Sequence, residues 1–225
     1  MSILTPKAHS DADIQQDALE ELSWDPHVTV SDIGVSVKEG IVTLTGVVES
    51  YLIRMAAQNA VLRVRGVNAV ANDIEVRLHT TAERTDSDLA LAALYALKWD
   101  AAIQTDRLDV TVSHGYVTLK GAVEHLEQRD AAGRAIRRLA GVKGVTNWIT
   151  VTGRPAAEDI NRRITAAFAT DSDDVPRVSA EVHGQTVTLK GTAPSFPAKH
   201  TAEQAALSAP GIVSVINQIE VVRED

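Results

Sequence analysis

The sequence predicts an α+β chain of three tandem αββαβ modules, each with two helices packed on a small three-stranded mixed sheet. Three observations lead there. Glycine and asparagine anchors recur three times at fixed spacing, a helical apolar pattern opens each repeat, and alternating apolar runs then fold back on a glycine turn.

The anchors come first. Gly46, Gly121 and Gly191 each stand 20 residues before Gly66, Gly141 and Gly211, and these stand six residues before Asn72, Asn147 and Asn217. Val42-Thr-Leu-Thr-Gly46 repeats as Val117-Thr-Leu-Lys-Gly121 and Val187-Thr-Leu-Lys-Gly191. The opening helices follow from Ile14, Ala18 and Leu22 ahead of Trp24, from Leu89, Ala93 and Leu97 ahead of Trp99, and from Ile160, Ile164 and Phe168. A hairpin comes next, turning at Glu39-Gly40, His114-Gly115 and His183-Gly184, with the third glycine one position early. Glycine tolerates the positive φ of a tight hairpin.

A second, alanine-rich helix begins near Tyr51, Leu126 and Phe196. Its inner face is expected at Ala60/Val61/Val64, Ala135/Ile136/Leu139 and Ala205/Ala206/Ala209. Gly66, Gly141 and Gly211 fall where a helix end favours a left-handed residue. The closing strand alternates through Val70, Ile74 and Val76. The modules are expected at residues 11–78, 87–152 and 157–223, joined by polar linkers at 79–87 and 153–157. A lone module of this size buries only about 60% of its unfolded surface, so packing between modules or chains would add stability.

Composition narrows the function. The 225 residues are 44% hydrophobic, enough for a sizeable core, but only 4% aromatic and net -8. Scarce aromatic rings and negative charge argue against nucleic acid as a partner. Without cysteine there are no disulfides or thiolate sites. The longest apolar run, Leu89 to Leu97, is too short for a transmembrane segment, which needs about 20 residues. The N-terminus lacks a signal-peptide pattern, so the chain is expected to be cytoplasmic.

The Gly-hydrophobic-x-x-Val-x-Asn-x-Ile-x-Val segment, preceded by the Val-Thr-Leu-x-Gly strand, resembles the BON domain (bacterial OsmY and nodulation), here in three tandem copies as in an OsmY-like protein. The resemblance implies an αββαβ fold without catalytic machinery. It also implies osmotic or envelope stress protection, phospholipid binding, and transport-associated or chaperone-like roles. Many members are exported. Pro194 and Pro197, flanking the start of the last second helix, depart from the other copies.

The residues give no sign of an enzyme, a metal site or a cofactor. The seven histidines show no paired metal-ligand spacing, and the repeated glycines are explained by turns and helix ends rather than by a phosphate loop. Asn72, Asn147 and Asn217 are read as structural residues that bond neighbouring backbone.

Two features set the middle module apart. Its first helix is apolar nearly all round: with Leu89, Ala93 and Leu97 facing the core, Leu91, Leu94 and Tyr95 lie opposite. Packing against flanking modules is the first expectation for that face, a homo-oligomer contact the second and insertion among lipid headgroups the third. Its second helix carries Arg134, Arg137 and Arg138 on one face, with Arg129 to the side and Lys143 beyond the end. This cluster could hold lipid phosphates, or form a solvated face balanced by Glu127 and Asp130. The middle third, residues 81–153, is neutral, whereas 1–80 carry -5 and 154–225 carry -3. Contact with an anionic phospholipid surface would therefore run through the centre. The expectation is a non-enzymatic protein binding phospholipid or protein partners through its middle module. The alternative is a self-assembling scaffold that uses Leu91, Leu94 and Tyr95 between subunits.

Overall fold

The computed structural model describes residues 9–77, 84–100, 103, 107–168 and 177–222. Linker residues 79–83, including His79, lie outside the described residues, as does the N-terminal segment 1–8.

In the first module, helix α1 (Asp11–Trp24) begins at Ser10. The Ser10 hydroxyl accepts the Asp13 N–H at 3.2 Å, and the Asp13 carboxylate accepts the Ser10 N–H at 3.1 Å. This reciprocal capping box satisfies two donors that a helix start leaves open. Strand β1 (Ile33–Lys38) pairs antiparallel with β2 (Ile41–Val48). Helix α2 (Tyr51–Leu62) then crosses over to β3 (Ala69–Val76), which pairs parallel with β2. A parallel partner requires such a crossover, and the sheet order is β1-β2-β3. The core joins Ile14, Ala18 and Leu22 of α1 to Val42 and Leu44 of β2 and to Ala57, Ala60 and Val61 of α2.

The pattern repeats. Helix α3 (Asp86–Trp99), β4 (Leu108–Ser113), β5 (Tyr116–Val123), α4 (Leu126–Arg137) and β6 (Gly144–Val151) form the middle module. Helix α5 (Ala157–Ala167), β7 (Arg177–His183), β8 (Thr186–Ala193), α6 (Phe196–Leu207) and β9 (Ser214–Val221) form the third. The inner faces of the second helices differ slightly from the pattern reading. In α4, Ala131 and Ala132 join Ile136 in being buried, while Ala135 and Leu139 are half-buried. In α6, the buried residues are Ala198, Ala202 and Ala206, with Ala209 just beyond, and Ala205 packs at their margin.

The anchors have distinct physical causes. Gly46, Gly121 and Gly191 are neither turns nor helix ends; they lie inside β2, β5 and β8 with φ of 133°, 131° and 130°. A Cβ there would fall 2.0, 2.1 and 1.9 Å from the carbonyl oxygens of Asp32, Arg107 and Arg177. The chain entering the edge strand presses on the middle strand, and only glycine fits both the space and the dihedral.

Asn72, Asn147 and Asn217 tie the closing strand to the second helix. Their Nδ2 atoms donate to the carbonyls of Arg54, Arg129 and Lys199 at 3.3, 2.8 and 3.5 Å. Their Oδ1 atoms accept the N–H of Ile74, Ile149 and Ile219 at 3.3, 3.1 and 3.1 Å.

The hairpin turns show where the third copy diverges. Glu39 and Gly40 have φ of 54° and 74°, and His114 and Gly115 have 53° and 83°. Each pair is held by the first residue of the preceding helix. Asp11 accepts from both N–H groups of the first turn at 2.8 and 2.9 Å, and Asp86 from both of the second at 2.7 and 2.9 Å. In the third copy Ala157, the first residue of α5, stands where the aspartate would be. The turn residues are Gly184 and Gln185, and His183 is the last residue of β7 rather than part of the turn.

The chain divides into two compact units. One comprises Met1–Ala93, Val112–Val117 and Ile136–Val145; the other comprises Leu94–Thr111, Thr118–Ala135 and Thr146–Asp225. Within the second unit the middle and third modules are joined directly. The Gly211 N–H donates to the Glu124 carbonyl at 2.8 Å, and His125 Nδ1 lies 3.1 Å from the Ser208 carbonyl. Gln185 Nε2 donates to the Val151 carbonyl. Gly153 in the linker lies so close that a Cβ on it would reach Gly211 N at 2.3 Å and Glu124 O at 2.8 Å.

Candidate partner-binding surface of the middle module

Helix α3 buries Leu89, Ala93 and Leu97, as its spacing predicts. Its far side is exposed among the described residues. Leu91, Leu94 and Tyr95 are 55%, 44% and 57% exposed, and Trp99 at the helix end is more exposed still. The equivalent places hold Gln16, Leu19 and Glu20 in α1 and Arg162, Thr165 and Ala166 in α5, so of these three helices only α3 has large apolar side chains at all three. Thr85 and Asp88 cap this helix, with the Thr85 hydroxyl 2.6 Å from the Asp88 carboxylate. The Thr85 side-chain and backbone hydrogen bonds hold the Asp88 carboxyl below its ordinary value. Asp86 is lowered too, first by the Gly115 N–H and next by that of His114. Both carboxylates at the start of α3 are thus committed to structure.

The basic residues of the middle module have separate surroundings. In the second unit, Arg134 pairs with Glu127, and the Arg129 carbonyl receives the Asn147 side chain. In the first unit, Arg137 and Arg138 line a cleft of about 240 Å³. Glu49, Ser50, Tyr51 and Leu52 form its opposite wall. The Nε atoms of Arg129 and Arg137 are buried without a hydrogen-bond partner. The Lys143 N–H donates to the Gly115 carbonyl at 2.9 Å, and its side-chain methylenes lie over that glycine. Of the basic residues read from the sequence, Arg137 and Arg138 thus share a cleft with the first module's corner.

Tyr51 was legible only as the start of a helix, and its place in that cleft depends on the fold. Trp148, exposed on the outer side of β6 with the Lys120 ammonium 6.0 Å from its ring centroid, also went unmarked by any motif. Among the described residues, no group of three or more histidine or acidic side chains could hold a metal ion. None of the described helices is long and apolar enough to cross a membrane.

Three matches to one family model, at residues 10–77, 85–153 and 156–223, cover almost the whole chain; the model is that of the BON domain. The chain belongs to the BON-domain family. Its three BON modules share the αββαβ order, the strand glycine and the asparagine tie described above. Among solved structures, the chain is similar to the C-terminal domain of CdsD, the structural protein of the type III secretion system of Chlamydia trachomatis. Identity is 12% and the TM-score 0.24, over 95% of this chain and 99% of that one. A second CdsD structure from the same organism matches at 12% identity and a TM-score of 0.24, over 95% and 94% of the two chains. Likeness at that level carries no argument about the BON modules here. No curated protein sequence matches the chain.

Proposed function

We propose that this protein is a non-enzymatic binding protein of the bacterial osmotic and envelope stress type, and that its middle module docks on phospholipid surfaces. BON domains are associated with osmotic-stress and envelope proteins and are generally non-catalytic. The observation that carries the reading is the exposure of Leu91, Leu94 and Tyr95 on α3. Burying a large apolar side chain is worth roughly 1.5–3 kcal/mol, so three on one face provide a substantial driving force for a partner that excludes water. Arg137 and Arg138 add positive charge in the one module that carries no net charge, and a basic residue beside an anionic membrane contributes about 1 kcal/mol.

Flotation with anionic and with neutral liposomes, at low and at physiological salt, tests the reading. The expected result is salt-sensitive flotation with anionic vesicles, abolished by Leu91→Glu and weakened by Arg138→Glu. Absence of flotation under every condition would discard a lipid partner.

The same exposed face favours a second reading, a chaperone-like or transport-associated scaffold in which α3 packs between subunits. Leu91→Glu would then reduce the mass measured by light scattering, while vesicles would have no effect on the wild-type protein.

A further inference from the structure

The joint between consecutive modules is built from the same two parts each time. One part is the corner where the middle strand leads into the second helix, at Glu49–Tyr51 and Glu124–Leu126. The other is the turn that ends the second helix of the next module, at Leu139–Gly141 and Ala209–Gly211. Within the first unit the corner and turn face each other across the cleft that Tyr51 lines. Within the second unit they bond directly, the Gly211 N–H to the Glu124 carbonyl and His125 to the Ser208 carbonyl.

Burial follows the use of the parts. Gly141 and Gly211, whose turns are engaged, are buried, whereas Gly66, the same residue of the first module's turn, is exposed. Leu62, on the last turn of α2, is 54% exposed. Tyr51 and Leu126, whose corners are engaged, are half-buried. Phe196, at the same place on the third module's corner, is 76% exposed. One open turn and one open corner therefore remain, on the first and third modules, and they are the complementary halves of a joint the chain already makes twice.

We propose that the protein associates head to tail with further copies of itself, the Phe196 corner of one chain docking on the Leu62–Gly66 turn of the next. In repeat arrays each unit contacts its neighbours through a repeated interface. The corner and the turn are different surfaces, so the contact is heterologous and propagates from chain to chain. The proposal does not rest on the exposed face of α3.

The test is light scattering on the full chain over a range of concentrations. Wild-type mass should rise with concentration beyond that of a single chain. Phe196→Glu and Leu62→Glu should each remain monomeric, because each removes one half of the joint. An equimolar mixture of the two variants should form a two-chain species and nothing larger, because the intact corner of L62E meets the intact turn of F196E. Both positions are exposed, and circular dichroism checks that each variant is folded. A wild-type protein that stays monomeric at every concentration would overturn the proposal. So would a variant that assembles alone as wild type does, or a mixture that stays monomeric. Leu91→Glu should leave the assembly intact; its loss in that variant would place the contact on α3 instead.

Discussion

At the first residue of α3, Asp86 completes a turn that lies 28 residues ahead of it. Its two carboxylate oxygens accept the N–H groups of His114 and Gly115, with the helix N-terminus adding favourable field. Those donors are the main reason its carboxyl sits below the ordinary value of 3.8. A carboxyl lowered by folding contributes stability that is complete above its unfolded value and lost as pH falls through the folded one. Asp86→Asn should therefore unfold at lower urea than wild type at pH 7. The gap should begin to narrow as the pH is taken below about 3.8 and close once it falls through the lowered folded value, where the wild-type carboxylate is itself protonated. A gap that stays constant with pH would show that the charge plays no part. Nothing local in the sequence marks this pairing. The asparagine anchors were legible because they recur at fixed spacing, but Asp86 and His114 meet only once the helix lies beside the hairpin.

At the scale of elements, the two kinds of apolar period located the helices and strands closely, because burial on one face forces a 3.6-residue or a two-residue repeat. The register that places Leu44 beside Asn72 and Leu189 beside Asn217 was not legible, since it depends on how far the crossover helix carries the chain. What covers the outer face of α3 was not legible for a related reason: apolar character on a second side says that a surface prefers cover, not what supplies it. Helix α5 lacks the side-chain cap of the other first helices. α1 and α3 begin with Ser10–Asp13 and Thr85–Asp88 capping pairs, whereas α5 begins at Ala156, whose side chain caps nothing. Ala156 has an extended backbone, φ -118° and ψ 135°, and Asp159 stands three residues on, where a capping box needs its acidic partner. Ala156→Ser should stabilise the third module by about 1 kcal/mol. Slower amide hydrogen exchange in α5, with α1 and α3 unchanged, is the readout.

On the scale of the whole molecule, stability depends on joints as well as cores, because a module of some 70 residues is marginal by itself. The join between the middle and third modules is tight enough to test with one methyl group. A Cβ at Gly153 would meet Gly211 N, the Pro210 carbonyl carbon and Glu124 O, at 2.3, 2.6 and 2.8 Å, all of them backbone that no rotamer change can clear. Gly153→Ala should open the join while leaving each core intact. Urea unfolding followed by hydrogen exchange should then resolve the third module melting ahead of the others; a single unchanged transition would show that the modules are not energetically coupled there. That three modules exist was plain from the repeats, but which residues join them was not, since Gly153, Glu124 and Gly211 are far apart in the chain.

The third hairpin has exchanged one form of support for another. Where Asp11 and Asp86 bind their own turns, the third module has Ala157, and Gln185 in its turn reaches instead to the Val151 carbonyl at the end of β6. The first two hairpins are locked from within, while the third is locked from its predecessor. This dependence runs in the direction of translation. Modules fold as units in the order they leave the ribosome, so the strand that offers Val151 is in place before the turn that needs it has been made.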